Sequence, residues 1–246
     1  MKTFFEGLVL SFGFFSIFRI PYTVNDINEK HYGYMATGLL FVALVLSVTT
    51  VFIYIGVSKL ITPIYGAVFA SLFYLFLYGF LHLEAVADII DAYFAAHSGK
   101  DVREVLKDPS VGAMGAIGVF VFIFFKVSAI SYILYNSLFS FFIISVILSR
   151  FCAVVLLKYG SFHKESKLAI LMQEGIEYHY FLPVAALIFF TGIYLAPAMI
   201  VSIFLWGIFL YGWISRNIGF LNGDGLGFFI EMQELMLLNI SLIFYL

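Results

Sequence analysis

Charge is what this chain has least of. Lysine and arginine number 13 and aspartate and glutamate 15 among 246 residues, so charged side chains make up 11% of the sequence. The net charge of −2 provides no basic field of the kind nucleic-acid binding needs. Cysteine occurs once, as Cys152, which excludes an internal disulfide and any cysteine-based metal cluster. What fills the chain instead is apolar: 63% of residues are hydrophobic, 20% are aromatic, and the mean hydropathy is +1.05. A soluble domain of this length has no interior large enough for that much apolar surface. The composition indicates an all-α, polytopic membrane protein with a single integral membrane domain. Residues 7–18 are apolar and follow Lys2, but they are rich in phenylalanine and lack an Ala-x-Ala cleavage site. They read as a retained segment and not as a signal peptide.

A helical span needs about 20 apolar residues. Segments 34–55, 61–82, 112–134, 138–157, 181–196 and 198–214 qualify, the last two being short and divided at Pro197. Residues 235–246 are too short for a straight span, and 4–18 reads as a span, a re-entrant segment or an interfacial helix. The expectation is roughly six to eight membrane segments. Alternating sides puts 19–33, 84–111, 158–180 and 215–234 together. Those loops hold Arg19, Lys30, Lys100, Arg103, Lys107, Lys158, Lys164, Lys167 and Arg216, while the opposite turns hold only Lys59. The positive-inside rule makes the first side cytoplasmic. Nearly all the carboxylates lie on that side too.

Glu84, Asp88 and Asp91 stand at i, i+4 and i+7, directly after the apolar run 61–83. On a helix they share one narrow face, where like charges repel. At a membrane boundary such charge is expensive, and a cation relieves it. Carboxylate oxygens suit Mg2+, which takes one or two of them together with substrate phosphates. A second acidic group, Asp224, Glu231 and Glu234, follows a glycine-rich start at Gly223, Gly225 and Gly227. On a continuous helix it spans about 80° of arc. Gly223 and Gly225 would let backbone N–H groups approach phosphate. The alternative is a solvated loop with the polar start of a helix. Arg103 and Lys107, at i and i+4, could grip a phosphate or simply obey the positive-inside rule. His82 precedes the first acidic face as a base or as an interfacial hydrogen-bonding residue. Arg150 and Lys126 lie inside spans, where a cation marks a functional site unless it snorkels to the interface.

The order of these motifs resembles the cobalamin synthase family, the adenosylcobinamide-GDP ribazoletransferases. The marks are Arg19-Ile20-Pro21, the stretch from Leu81 through His82, Glu84 and Asp88 to Asp91, the block from Lys107-Asp108-Pro109 to Gly112 and Gly115, then Lys126, Ser149-Arg150, and Gly223-Asp224-Gly225 with Glu231 and Glu234. They cover essentially the whole chain. The chain departs from the usual pattern with Glu84 in place of Asp and Ala85 and Ala92 in place of Gly.

The resemblance implies a Mg2+-dependent phosphoryl transfer at the inner membrane, with the site facing the cytoplasm. α-Ribazole or its 5′-phosphate would displace GMP from adenosylcobinamide-GDP. The resemblance also implies site roles. Glu84, Asp88, Asp91 and His82 would be catalytic. Glu84, Asp88, Asp91, Asp224, Glu231 and Glu234 would bind metal. Arg103, Lys107, Asp108, Arg150, Gly223 and Gly225 would hold substrate. The implied partners are the two substrates, the bilayer and other late cobamide-pathway proteins, without nucleic acid. A membrane phosphotransferase of the CDP-alcohol type and a cation-coupled transporter are the rival readings.

Overall fold

The structure is a computed structural model that describes residues 2–177 and 197–245. The segment 181–196, expected as a span, lies outside the described residues. The described chain is helical, with one isolated parallel β-bridge between Phe162 and Leu221. Ten helices follow in order: α1 Lys2–Phe15, α2 Glu29–Leu60, α3 Pro63–Leu77, α4 Leu81–His97, α5 Val102–Val105, α6 Ala113–Tyr135, α7 Phe139–Tyr159, α8 Lys167–Gly175, α9 Pro197–Asn217 and α10 Gly223–Tyr245.

Among the described residues α2, α6 and α7 are each long and apolar enough to cross a membrane. α3 and α4 pass that test only jointly, and an 82° bend separates them. The expected span 61–82 is therefore not one helix. Gly79 at φ 66 and Phe80 at φ 57 both occupy the left-handed region, which ends α3 and redirects the chain. α4 turns away from the crossing direction and carries the acidic face. A second difference lies at the C-terminus. The expected loop 215–234 and short segment 235–246 merge, because α10 runs without a break from Gly223. Asn222 starts it by accepting from the N–H of Gly225 at 2.8 Å.

The apolar surface divides as a bilayer demands. Outward residues of α2, α3, α6 and α9 include Phe52, Ile64, Phe120 and Ile208, of which Phe120 is 72% exposed. In water such a belt would be an aggregation surface; in hydrocarbon it is matched to its solvent. Inside, one core gathers residues of α2, α3, α6 and α7, such as Ala36, Tyr74, Ile130 and Phe142. A second gathers α4, α9 and α10 around Val86, Ile89, Ile214 and Leu237. Small residues let the helices close up.

α1 lies along α2, pinned by a polar knot. Glu6 is buried, 3.1 Å from His31 Nε2 on α2, and accepts from the Tyr22 hydroxyl at 3.1 Å. The hydrogen bond from His31 holds the Glu6 carboxyl below its usual range. At 14 residues α1 is about 21 Å long, too short for a straight crossing.

α8 meets α2 backbone to backbone at Gly33 and Gly175, and a methyl group on Gly33 would overlap the Gly175 carbonyl. Gly33→Ala should therefore destabilise the bundle by about 1–3 kcal/mol through overpacking. Thermal unfolding of the detergent-solubilised protein measures it. An unchanged melting temperature would mean that the two helices are not in contact.

Candidate active site

Two groups of ionisable residues stand apart in the bundle, and they differ in how their charge is satisfied. The first is the acidic face of α4. Glu84 is exposed and Asp88 and Asp91 are partly buried. Asp91 takes a specific partner: its two oxygens accept from the N–H groups of Gly112 and Gly115 at 2.7 Å each. It thereby caps α6 from another helix, satisfying N–H groups that have no partner within α6. The side chains of Gly112 and Gly115 are absent for a reason, since a Cβ on Gly112 would stand 2.6 Å from Asp91 Oδ1. Asp88 has no such relief. Burial, then the charges of Asp224, Glu84 and Asp91, push its carboxyl up to about 6. Asp224, in the first turn of α10, is likewise raised, by burial first and also by Glu84. Glu84, Asp88 and Asp224 thus crowd one another, with the Asn222 amide donating to Asp224 at 2.7 Å and no cation paired with them among the described residues.

A cavity of about 450 Å3 opens beside this face. Asp88, Asp91, Ser98, Lys100, Asp108 and Ser110 supply its polar wall. Asp108, expected to touch substrate, accepts from the Ser110 hydroxyl at 2.6 Å and from its N–H at 2.9 Å. Those bonds lower its carboxyl below the usual range. A second polar cavity, of about 240 Å3, holds Arg103, Lys107, His163, Asn222 and Gly223. Arg103 stacks over the Phe220 ring at 5.7 Å, and Lys107 lies 3.9 Å from Glu165 at the surface. The bond from His163 N–H to the Leu221 carbonyl, 2.8 Å long, ties the loop after α7 to the start of α10.

The second group is buried. Lys126 on α6, Arg150 on α7 and Glu231 and Glu234 on α10 form one network, and Lys126, Glu231 and Glu234 have no exposure at all. Lys126 Nζ lies 2.5 Å from Glu231 and 2.8 Å from Glu234. Arg150 pairs with Glu234 and donates to the Ser149 hydroxyl at 2.8 Å. The Tyr74 hydroxyl donates to Glu234 at 3.0 Å, and Lys126 lies over the Tyr78 ring at 5.0 Å. Two positive and two negative side chains leave the network neutral, which is what a low-dielectric interior requires.

The structure therefore separates residues expected to act together. It brings Glu84, Asp88 and Asp224 to one place and Glu231, Glu234 and Arg150 to another. His82 is buried against the Tyr78 ring, 6.1 Å between centroids. Gly225 gives its N–H to Asn222 and not to a ligand, whereas Gly223 is exposed and lines the basic cavity. Gly227 allows α10 to pass close to Ala85 of α4, where a Cβ would stand 2.7 Å from that of Ala85. Sequence reasoning missed Tyr74 and Tyr78, Lys100 and the capping role of Asp91. The i, i+4 tyrosines in an apolar run and the Gly112-x-x-Gly115 start of α6 were the available signals.

Among the described residues no three aspartate, glutamate, histidine or cysteine side chains form a ready-made metal cage. Magnesium does not need one, because one or two carboxylates and substrate phosphates complete its shell. Glu84, Asp88 and Asp224 fit that mode of binding: among the described residues none of them pairs with a cation, although Asp224 accepts from the Asn222 amide at 2.7 Å. The carboxylates of Glu231 and Glu234 already have cationic partners.

Comparison with known proteins points in one direction. The family described as Cobalamin-5-phosphate synthase matches residues 7–242. The adenosylcobinamide-GDP ribazoletransferase of Treponema denticola is 31% identical over 179 residues, covering 69% of this chain and 64% of that protein. The protein of the same name from Clostridium tetani is 28% identical, covering 76% and 77%. That of Halalkalibacterium halodurans is 26% identical, covering 100% and 98%. No solved structure matches the chain.

Removing one member of the buried network leaves a charge without its partner. Lys126→Met should cost about 3–5 kcal/mol of stability. Adding Glu231→Gln should recover part of that loss, since the remaining charges of Arg150 and Glu234 balance. Unfolding of the solubilised variants reads both, and a double variant no more stable than the single one would contradict the pairing.

Proposed function

Because this chain belongs to the cobalamin-5-phosphate synthase family, we propose that it is a membrane transferase that joins α-ribazole or its 5′-phosphate to adenosylcobinamide-GDP and releases GMP. The observation that carries the reading is the crowding of Glu84, Asp88 and Asp224, three carboxylates held together with no cation to balance them. Such a cluster suits a reaction in which charge on a diphosphate must be neutralised and a hydroxyl deprotonated.

The chemistry is a displacement at phosphorus. A ribose hydroxyl oxygen of the acceptor bonds to the cobinamide-side phosphorus, the bond from that phosphorus to the bridging oxygen breaks, and GMP leaves with the electron pair. The hydroxyl proton passes to a carboxylate. Glu84, exposed at the rim on the same helix face as Asp88, is placed to take it. Glu84, Asp88 and Asp224 would hold magnesium, which would supply charge neutralisation for the diphosphate. Asp91 positions α4 against the start of α6, which fixes where Asp88 points. Lys100, Arg103 and Lys107 provide positive charge for phosphate oxygens in the two polar cavities. On this reading Glu231, Glu234 and Arg150 form the scaffold behind the site and do not touch metal or diphosphate. His82 lies buried against the rings of Tyr78 and Phe15, on the same helix as the acidic face.

The reading places the carboxylate end at the cytoplasmic face of the inner membrane, with roughly six to eight segments in the bilayer. The bias of basic residues towards loops 84–111 and 158–180 supports that orientation.

The test is GMP release by purified, solubilised protein given adenosylcobinamide-GDP, α-ribazole 5′-phosphate and magnesium. The unaltered protein should release GMP with a matching corrinoid product, and EDTA should stop it. Asp88→Ala should lower the rate by about a hundredfold or more while inserting normally into membranes. Full activity in Asp88→Ala would overturn the site.

A further inference from the structure

A third cavity, of about 230 Å3, adjoins the acidic face and has no role in the account above. It lies between α1, α2, α4, α7, α8 and α10. Its walls are apolar, with Phe15, Leu168, Met172 and Ile230 among them, and its polar rim carries Glu84 and Asp224. We infer that this cavity seats the aromatic base of the acceptor nucleoside, leaving the attached ribose at Glu84 and Asp224. The inference rests on the transferase reading and assigns a subsite within it.

The lining selects the occupant. No lysine or arginine lines this cavity, whereas Lys100, Arg103 and Lys107 line the two polar cavities, so phosphate groups belong there and an uncharged part of the acceptor belongs here. A purely hydrocarbon occupant would strip water from the rim carboxylates with nothing to replace it. A flat heteroaromatic ring bonded to a sugar satisfies both parts. The ring buries its faces among Phe15, Leu168 and Met172, and the sugar hydroxyls donate to Glu84 and Asp224. That arrangement also brings the reacting hydroxyl to the carboxylates that take its proton. An anionic group on the same ligand has a place to go, because Gly223 lines both this cavity and the basic one that holds Arg103 and Lys107.

The floor is tight. Gly227 passes against α4, where a Cβ would meet Ala85 Cβ at 2.7 Å and His82 Nδ1 at 3.4 Å. The cavity therefore has no room to deepen between α4 and α10, and its size is set from the α8 side by Ala169 and Met172. Those two residues make the cavity adjustable without touching the carboxylates.

The experiment is equilibrium binding, without donor, of two acceptor 5′-phosphates to the solubilised full chain. One acceptor carries dimethylbenzimidazole and the other unmethylated benzimidazole. Ala169→Leu fills the cavity and should weaken the methylated acceptor by about tenfold or more, while the unmethylated one stays within about threefold. Retained affinity for the smaller acceptor shows that the variant is folded. Met172→Ala enlarges the cavity and should narrow the difference between the two acceptors. Equal loss for both acceptors in Ala169→Leu, or no change in either variant, would overturn the assignment. GMP release, assayed separately, distinguishes the two ideas. Base-dependent binding without GMP release would remove the transfer reading and keep the cavity. GMP release with binding indifferent to both substitutions would do the reverse.

Discussion

The structure depends on pairing charge where no water is available. Lys126, Arg150, Glu231 and Glu234 come from three helices, and each would be costly alone in the interior of a membrane bundle. Together they are neutral, and the Tyr74 hydroxyl adds a further hydrogen bond. The network locks α6, α7 and α10 in register, because a shift along any one axis would leave a charge unpaired. With α10 fixed in this way, Asp224 stands at the acidic end of α4. Asp91 performs the matching task for α6, whose N-terminus it caps from α4.

Acidic residues of the described chain therefore divide into those whose charge is balanced by a cation or by two backbone N–H groups and those whose charge is not. Asp91 gives both oxygens to the fold, and Glu231 and Glu234 pair with buried cations, although Glu231 Oε1 has no hydrogen-bond partner. Glu84, Asp88 and Asp224 remain in mutual repulsion, a condition that a divalent cation would relieve on the proposed reading. Basic side chains line the neighbouring cavities but do not neutralise these acids directly. The bundle thus combines a rigid, electroneutral interior with an end whose charge is incomplete until ligands arrive.

Much of this was legible in the sequence. Hydropathy located α2, α6 and α7 closely, because a lipid-facing helix must be apolar over its whole length. The i, i+4, i+7 spacing put Glu84, Asp88 and Asp91 on one helix face, as observed. The break at Gly79 and Phe80 was hidden, since both neighbours are apolar and hydropathy does not register a change of direction. The helix from Gly223 was disguised by glycines that read as a turn, whereas Asn222 makes the first of them a helix start. Spacing also did not distinguish an acid that meets a cation across the bundle from one that meets none. The expectation of Glu231 and Glu234 as ligands did not include their cationic partners, Lys126 and Arg150, because these lie on other helices.

That division between paired and unpaired acids is tested most directly by Mn2+ titration followed by electron paramagnetic resonance. The solubilised protein would be compared with Asp88→Asn and Glu231→Gln. The account predicts that Asp88→Asn loses tight manganese binding and that Glu231→Gln keeps it while melting at a lower temperature. Loss of binding in Glu231→Gln with retention in Asp88→Asn would contradict it, and would make the buried network the metal site.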